Sequence, residues 1–354
     1  MGRLVVSEKV RVLVVDDSAF MRTALKRTLE SHPKIEVIGQ ARDGADAVAK
    51  VKELRPDVVT MDFNMPRMNG VEAIRAIFAD RPVPILMISA HTQVGAQETL
   101  DALAAGAVDF IPKPDGEVST DLSVVKDELF RKIRAASLSK PEVATPAAEA
   151  TRQVRPVESK PPPRPVSAND PVVIIAISTG GPAALERVIP RLPENLKASV
   201  LVVQHMPKAF TKALARRLDS VSGLAVKEAS AGDELRPGQV LIAPGDRHLV
   251  FDAASRVKLT ETAPVNGCRP SADVTYQAAA RALGSRVTAV VMTGMGKDGA
   301  LGCRAVKATG SKVFAQDEAS SVVWGMPRAV VQLNLADEVL PLDGITKRLT
   351  ELFG

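Results

Sequence analysis

Two series of short apolar runs, each alternating with helical patterns, most constrain the fold of this chain. Between them lies a segment with no sustained apolar periodicity and with seven prolines among residues 136–169. Such a segment cannot bury enough apolar surface to offset the entropy of ordering it. The sequence therefore predicts two domains, residues 9–135 and 170–354, joined by a proline-rich linker at 136–169.

The first series predicts a doubly wound α/β domain. Its apolar runs have the length of buried strands and lie at residues 10–15, 35–38, 57–61, 85–88 and 108–111. Helical patterns lie between them, the first after Ser18, a residue type that caps helices. Strands that alternate with helices favour a parallel sheet with helices on both faces.

The second series repeats this alternation and predicts a second α/β domain with a mostly parallel sheet. Its strand candidates are residues 172–177, 200–204, 240–243, 287–292 and 312–315. Residues 249–252 and 257–260 are predicted to form a small hairpin.

Composition excludes several classes of protein. Of 354 residues, 45% are hydrophobic and 25% are charged, which excludes a globally disordered chain. Aromatic residues make up only 3%, and the net charge of +5 is spread along the chain, so no nucleic acid partner is expected. The two cysteines, Cys268 and Cys303, are too few for a disulfide framework. With no apolar run near 18 residues and no signal peptide, we expect a cytoplasmic protein that is not inserted in a membrane.

Acidic residues follow the predicted strands of the first domain. Asp16 and Asp17 end the first strand, Asp62 the third, Ser89 the fourth and Lys113 the fifth. The carboxyl ends of parallel strands meet at one edge, where sites form. Three carboxylates in one place call for a hard cation such as Mg²⁺, beside which an aspartate can form an aspartyl phosphate. A single aspartate there would more often be a solvated cap, but the ordered set favours a site.

The first domain resembles the receiver domain of bacterial two-component response regulators, a flavodoxin-like fold. The resemblance rests on VVDDS at 14–18, MDFNMPRMNG at 61–70, MISA at 87–90 and DFIPKP at 109–114. It implies that Asp62 is the phosphoacceptor, that Asp16, Asp17, Asp62 and the backbone carbonyl of Asn64 hold Mg²⁺, and that Ser89 and Lys113 contact the phosphoryl group. Phe110 stands where many receivers carry a switch tyrosine, so a switch that needs a phenolic hydroxyl is not expected.

The second domain offers a nucleophile and a base. Ser178 ends a predicted strand before Thr179 and two glycines, a strand-to-helix turn that exposes a hydroxyl beside helix N–H donors. His205 ends the next strand, and Asp298 follows the strand at 287–292. Asp298 could orient His205, which would take the proton of Ser178.

Chemistry alone leaves two interpretations of this domain open. The glycine turn could instead cradle the phosphate of a nucleotide, although neither G-x-G-x-x-G nor a following Lys-Ser/Thr is present. The G-x-S-x-G elbow is also missing, because Ala176 occupies the first glycine position, and the order Ser, His, Asp differs from that of α/β-hydrolases.

The second domain resembles the catalytic domain of the chemotaxis protein-glutamate methylesterases. The matching segments are AISTGGPAAL at 176–185, VVQHMP at 202–207, IAPGDRH at 242–248, MTGMGKDGA at 292–300 and QDEASSVVWGMPRAV at 316–330. The resemblance implies Ser178 as nucleophile, His205 as general base and Asp298 as its orienter, with Thr179 and Met295 lining the oxyanion site. His248 would then be a supporting residue.

The order of receiver, linker and esterase implies the biological reaction. It is the hydrolysis of glutamate methyl esters on chemoreceptors, and deamidation of receptor glutamines, with no cofactor for the esterase step. A chemotaxis histidine kinase would be the phosphodonor, and an intramolecular receiver–esterase contact would inhibit the unphosphorylated enzyme. The alternative is a response regulator whose second domain only binds, most often to DNA, but nothing in the sequence is typical of a helix-turn-helix module.

Overall fold

The computed structural model describes residues 9–89, 92–113, 122, 125–139, 167 and 169–354. The chain divides into two compact units, residues 1–149 and 150–354, which are described separately. Most of the predicted linker lies outside the described residues, so its boundaries stay a prediction. Within the described ranges, no helix is both long enough and apolar enough to cross a bilayer.

The first unit is a five-stranded parallel sheet of order β2-β1-β3-β4-β5. Its strands are β1 (Val10–Val15), β2 (Ile35–Ala41), β3 (Val58–Asp62), β4 (Ile85–Ser89) and β5 (Asp109–Pro112). Its helices are α1 (Ala19–Glu30), α2 (Gly44–Leu54), α3 (Gly70–Asp80), α4 (Gln93–Ala104) and α5 (Lys126–Leu138). The predicted doubly wound α/β fold is confirmed.

Polar caps after the strands start the helices of this unit. Ser18 caps α1 by accepting a hydrogen bond from the N–H of Met21, as predicted. Asn69 and Glu72 form a reciprocal capping box at the start of α3. Such caps satisfy backbone donors that have no partner inside the helix. Because all the strands are parallel, the loops that follow them, which carry the acidic residues, lie at one edge of the sheet.

The second unit is a seven-stranded parallel sheet of order β14-β13-β12-β6-β7-β9-β8, with a separate antiparallel pair, β10 and β11. The strands are β6 (Val172–Ile177), β7 (Ser199–Gln204), β8 (Ala225–Glu228), β9 (Gln239–Ile242), β10 (His248–Phe251), β11 (Val257–Thr260), β12 (Val287–Val291), β13 (Lys312–Gln316) and β14 (Glu338–Leu340). The helices are α6 (Gly181–Val188), α7 (Lys208–Val221), α8 (Ala272–Leu283), α9 (Ala300–Ala308), α10 (Met326–Gln332) and α11 (Leu342–Phe353).

The strand order creates a switch point beside β6. From β6 the chain builds β7, β9 and β8 on one side, and β12, β13 and β14 on the other. In open α/β sheets the crevice at the carboxyl ends of strands forms where the order reverses. The strands β12, β6 and β7 are neighbours in the sheet, so the loops that follow them come together at this switch point.

Candidate active site and phosphoacceptor site

The acidic residues of the first unit form one cluster. Ligand oxygens of Asp16, Asp17 and Asp62 lie within 4.8 Å of one another. Lys113 bridges two of them, with its Nζ 2.9 Å from Oδ1 of Asp62 and 3.2 Å from Oδ2 of Asp16. The four residues predicted from three separate strand ends thus come together at the edge formed by β1, β3 and β5.

Burial raises the pKa values of two carboxyl groups in this cluster. Desolvation raises the pKa of Asp62 to about 6, with a further increase from Asp16 and a partial offset from the ammonium of Lys113. Desolvation likewise raises the pKa of Asp16. Carboxylates crowded in this way are stabilised by a hard cation, and an all-oxygen donor set fits Mg²⁺.

The hydroxyl of Ser89 has its hydrogen-bond partners on α4. Its hydroxyl donates to the carbonyl oxygen of Gly95 at 3.2 Å, and it accepts a hydrogen bond from the hydroxyl of Thr99 on α4. Within the described part of the receiver unit no hydrogen bond joins Ser89 to Asp62. A role on a phosphoryl group would require this hydroxyl to leave α4.

The side chains of Asn64 and Phe110 contact other residues of the receiver unit. The side chain of Asn64 is exposed and donates to Oε2 of Glu98 at 3.1 Å. Phe110 is buried, and the ammonium of Lys132 lies 5.2 Å from the centre of its ring.

Ser178 lies on the strand-to-helix turn after β6. Its amide donates to the carbonyl of Thr293 in the loop after β12 at 3.0 Å, and its own carbonyl accepts from Gly181 at 2.8 Å. Gly180 takes a left-handed φ of 77°, which glycine adopts without strain. The side chain is half-buried at the start of α6, where helix N–H groups favour negative charge.

His205 and Asp298 form the second part of the site. Nε2 of His205 lies 2.8 Å from Oδ2 of Asp298 across the switch point. Four further donors hold the carboxylate: the side chains of Asn266 and Ser271, and the amides of Ala272 and Asp273 at the start of α8. The carboxylate is therefore fixed before any substrate binds.

The pKa values of this pair move in opposite directions. Burial of the ring lowers the pKa of His205, but hydrogen bonds to Asp298 and Cys268 raise it to about 9. Burial raises the pKa of Asp298, but His205 and the other donors lower it to about 2. Each charged form stabilises the other, as expected for a buried ion pair.

The predicted nucleophile, Ser178, and the predicted base, His205, are not hydrogen-bonded to each other in the described part of the chain. Among the described residues no hydrogen bond connects the hydroxyl of Ser178 with either ring nitrogen of His205. The second nitrogen, Nδ1, instead lies 3.5 Å from Sγ of Cys268. In structures without substrate such catalytic contacts are often long or poorly aligned.

The sequence analysis missed two groups of residues at this site. Nε2 of Gln204 donates to the carbonyls of Ser178 (3.0 Å) and His205 (3.2 Å), and so ties the nucleophile turn to the base. Asn266, Cys268 and Ser271 come from the loop before α8. The Asn-Gly pair at 266–267 is a recognisable turn signal, whereas nothing in the sequence distinguishes Gln204.

The predicted oxyanion and supporting residues lie around this centre. Thr179 is buried and its carbonyl accepts from the hydroxyl of Thr293 at 2.9 Å, while Met295 is half-buried in the loop after β12. His248 is fully buried, and Nδ1 accepts from the amide of Ser271 at 3.2 Å. Its Nε2 then donates to the carbonyl of Ala263 at 3.1 Å, so both nitrogens hold the loop before α8.

The loop after β12 is also paired with the chain around the single tryptophan. Gly294 forms a parallel bridge with Trp324, and its carbonyl accepts from the amides of Gly325 (3.1 Å) and Met326 (2.8 Å). The indole N–H of Trp324 donates to the carbonyl of Gln316 at 3.0 Å. This segment fixes the loop that carries Met295 and Asp298.

Known proteins match both units. The sequence model of the CheB methylesterase family matches residues 173–349, and that of the response regulator receiver domain matches residues 12–120. A protein-glutamate methylesterase/protein-glutamine glutaminase from Symbiobacterium thermophilum is 48% identical over 357 residues, covering 99% of this chain and 98% of that protein. One of the same name from Pyrococcus abyssi is 45% identical over 346 residues, covering 95% and 92%.

A solved structure agrees with the second unit. The crystal structure of the Thermotoga maritima CheB methylesterase catalytic domain is 48% identical, with a TM-score of 0.51, and covers 53% of this chain and 100% of that one. The match to the Symbiobacterium thermophilum protein extends over almost the whole chain and includes both units. The chain therefore belongs to the CheB methylesterase family, with a response regulator receiver domain ahead of the methylesterase domain.

Proposed function

We propose that this protein is a phosphorylation-regulated esterase that hydrolyses glutamate methyl esters on chemoreceptors and deamidates receptor glutamines. The observation that carries the proposal is the 2.8 Å contact between His205 and Asp298, at the strand end beside Ser178. Relatives of nearly full length that are named for these two activities support the substrate class. Both activities attack the same acyl carbon of a side chain.

The arrangement of the ring supports one path for the proton. Nε2 faces Asp298, so it keeps its proton there, and Nδ1 is the nitrogen that can accept a proton. The hydroxyl of Ser178 attacks the ester carbonyl and passes its proton to Nδ1. That proton then leaves with methanol, or with ammonia in deamidation, and an acyl-enzyme remains.

Water completes the cycle. It attacks the acyl-enzyme and gives one proton to Nδ1, which passes that proton to the leaving oxygen of Ser178, so that glutamate and the free serine are released. The negative oxygen formed in both steps would lie near Thr179 and Met295, where backbone N–H groups at the start of α6 and in the loop after β12 can stabilise it. These steps use only protein groups and water, so the esterase reaction needs no cofactor.

The receiver unit would carry the control. We infer that Asp62 accepts the phosphoryl group, that Asp16, Asp17, Asp62 and the carbonyl of Asn64 hold Mg²⁺, and that Lys113 and Ser89 contact the phosphoryl oxygens. Mg²⁺ would neutralise the carboxylates and the incoming phosphoryl group. The proximity of Lys113 to Asp62, 2.9 Å, supports this assignment.

The partners and boundaries are proposed on the same basis. The phosphodonor would be a chemotaxis histidine kinase, and the substrate methyl-accepting receptors reached from the cytoplasm. The receiver would span residues 9–135, the linker 136–169 and the esterase 170–354, with an inhibitory receiver–esterase contact before phosphorylation. A second domain that only binds is disfavoured, because it would have no use for a histidine held between a buried carboxylate and a thiol.

Replacement of the nucleophile tests the activity. Ser178→Ala should lower methanol release from methylated receptor membranes by about 10³-fold or more, because nucleophilic attack is lost while oxyanion binding remains. Ser220→Ala, at a serine whose hydroxyl donates to the carbonyl of Arg217 in its own helix, is the matched control and should keep full activity. A rate within tenfold of the wild type in Ser178→Ala would reject the nucleophile.

A further inference from the structure

Both nitrogens of the His205 ring have partners in this structure. Nε2 lies 2.8 Å from Asp298, and Nδ1 lies 3.5 Å from Sγ of Cys268. The proton path above gives Nδ1 the task of accepting the serine proton. The thiol of Cys268 therefore lies at the atom where proton transfer must occur.

The backbone holds this cysteine in place. Asn266 and Gly267 have left-handed φ values of 54° and 74°, and Val265 and Cys268 exchange backbone hydrogen bonds of 3.1 and 2.9 Å. This is a two-residue hairpin turn of the kind that Asn-Gly favours. The same turn binds Asp298 through the side-chain amide of Asn266, at 3.0 Å. One short hairpin therefore contacts the base at Nδ1 and the carboxylate that orients it.

We propose that Cys268 is a positioning residue of the esterase site, whose sulfur holds Nδ1 of His205 in the resting enzyme and sets the pH range in which this nitrogen can accept the proton of Ser178. The inference rests on the proposed function. At this contact only the position of the thiol proton between sulfur and nitrogen can change, so the role needs no oxidant and no other reactant. Substrate turnover requires Nδ1 to be free of this proton.

The charged neighbours of the ring set the direction of the effect. Asp298, from the loop after β12, and Cys268, from the hairpin, face His205, and Asp273 shares Asn266 with Asp298. Burial lowers the pKa of His205, whereas Asp298 and Cys268 raise it. Removing the sulfur therefore lowers the pKa of His205, and the neutral base becomes available at lower pH.

The first experiment compares pH profiles of kcat/KM for methanol release by the full chain. In Cys268→Ala the acid limb should move down by about one pH unit, and the plateau should fall several-fold because the ring loses its lateral support. Cys268→Ser should move the acid limb less than Cys268→Ala does and keep the plateau, since its hydroxyl still contacts Nδ1. Cys303→Ala, which removes the buried cysteine of α9, is the matched control and should leave the profile unchanged. An acid limb in both Cys268 variants within about 0.2 units of the wild type would overturn the proposal.

The second experiment does not depend on catalysis. In the Cys303→Ala background, iodoacetamide should alkylate Cys268 at pH 7 about tenfold more slowly once His205→Ala is added, because a histidine ring 3.5 Å from the sulfur favours its nucleophilic attack. Equal alkylation rates would show that the sulfur and the ring are not paired. If Ser178→Ala stays active the proposed function fails while this result stands, and if only the pH shift and the alkylation difference are missing the positioning role fails alone.

Discussion

At the scale of single residues, His205 combines a buried ring with a carboxylate on one nitrogen. Its pKa is raised to about 9, so at pH 7 the ring is an imidazolium and cannot accept a proton. We therefore expect kcat/KM of the full chain to increase with pH and to level off only above about pH 9. Methanol release measured between pH 6 and pH 10 checks this. An acid limb near pH 6.5, the ordinary value of a histidine, would show that the ion pair does not control the base.

Asp62 is the proposed phosphoacceptor. A small phosphodonor with Mg²⁺ should add the mass of one phosphoryl group to the wild type, in a base-labile form, and none to Asp62→Asn, because the amide is not a nucleophile. The matched control is Asp80→Asn, at an exposed carboxylate 3.5 Å from Lys52, and it should accept the group normally. Intact-protein mass spectrometry gives the result. Equal labelling of Asp62→Asn and the wild type would move the phosphoacceptor elsewhere.

The sequence predicted the residues that end strands more readily than the residues that support them. Ser178, His205 and Asp62 follow apolar runs directly, so the strand pattern alone places each of them at the carboxyl edge of its own sheet. Gln204 and Cys268 act through contacts that exist only after folding, such as the contact between Cys268 and a histidine 63 positions earlier. The sequence could not show that Nδ1 of His205 faces a thiol, because this depends on the orientation of one ring.

At the scale of elements, the loop after β12 must pass very close to Ser178. A Cβ at Gly294 would lie 2.8 Å from Cβ of Ser178 and 2.5 Å from Sδ of Met326. Gly294→Ala should therefore displace Ser178 or the loop and lower kcat/KM by about 100-fold, since small misplacements are costly in catalysis. Methanol release measures the effect, with a thermal melt to separate activity from stability.

The control for Gly294 is a glycine that affects stability alone. Gly232 has a left-handed φ of 89° and open space around its would-be Cβ, in a turn that gives no side chain to the site. Gly232→Ala should cost about 1 kcal/mol of stability through backbone strain and leave kcat/KM unchanged. Similar activity losses in both variants would mean that general destabilisation explains the effect.

Fully buried strands at the centre of each sheet were predicted from their apolar sequence. β6 and β7 are buried along their whole length, and all of their residues are apolar except Ser199 and Gln204 at the ends of β7. The edge strands β8 and β14 were missed, because they are four and three residues long and only partly buried. An edge strand covers little of the core, so its pattern differs little from that of a loop.

At the scale of the whole molecule, the linker proposed at 136–169 has 34 residues and would connect the receiver domain to the methylesterase domain. A tether of this length keeps the receiver at an effective concentration of order mM near the esterase, so even a weak contact would be populated. A fragment starting near Asp170 should thus be about tenfold more active than the unphosphorylated full chain, which corresponds to about 1.4 kcal/mol.

Parallel rate measurements on labelled receptor membranes, at equal enzyme concentration, check this regulation. A phosphodonor with Mg²⁺ should raise the activity of the full chain and leave the fragment unchanged, because only the full chain contains Asp62. A fragment slower than the full chain, with no response of either to phosphodonor, would assign the receiver a docking role instead of inhibition.

The position of Trp324 gives the esterase unit its own optical signal. The chain has one tryptophan and one tyrosine, Tyr276, and both lie in the second unit. The backbone of Trp324 forms a bridge with Gly294, in the loop that carries Met295 and Asp298. Emission excited at 295 nm therefore comes from that unit alone, with no contribution from the receiver. Titrations with receptor or phosphodonor can thus be followed by native fluorescence, without a label near the serine.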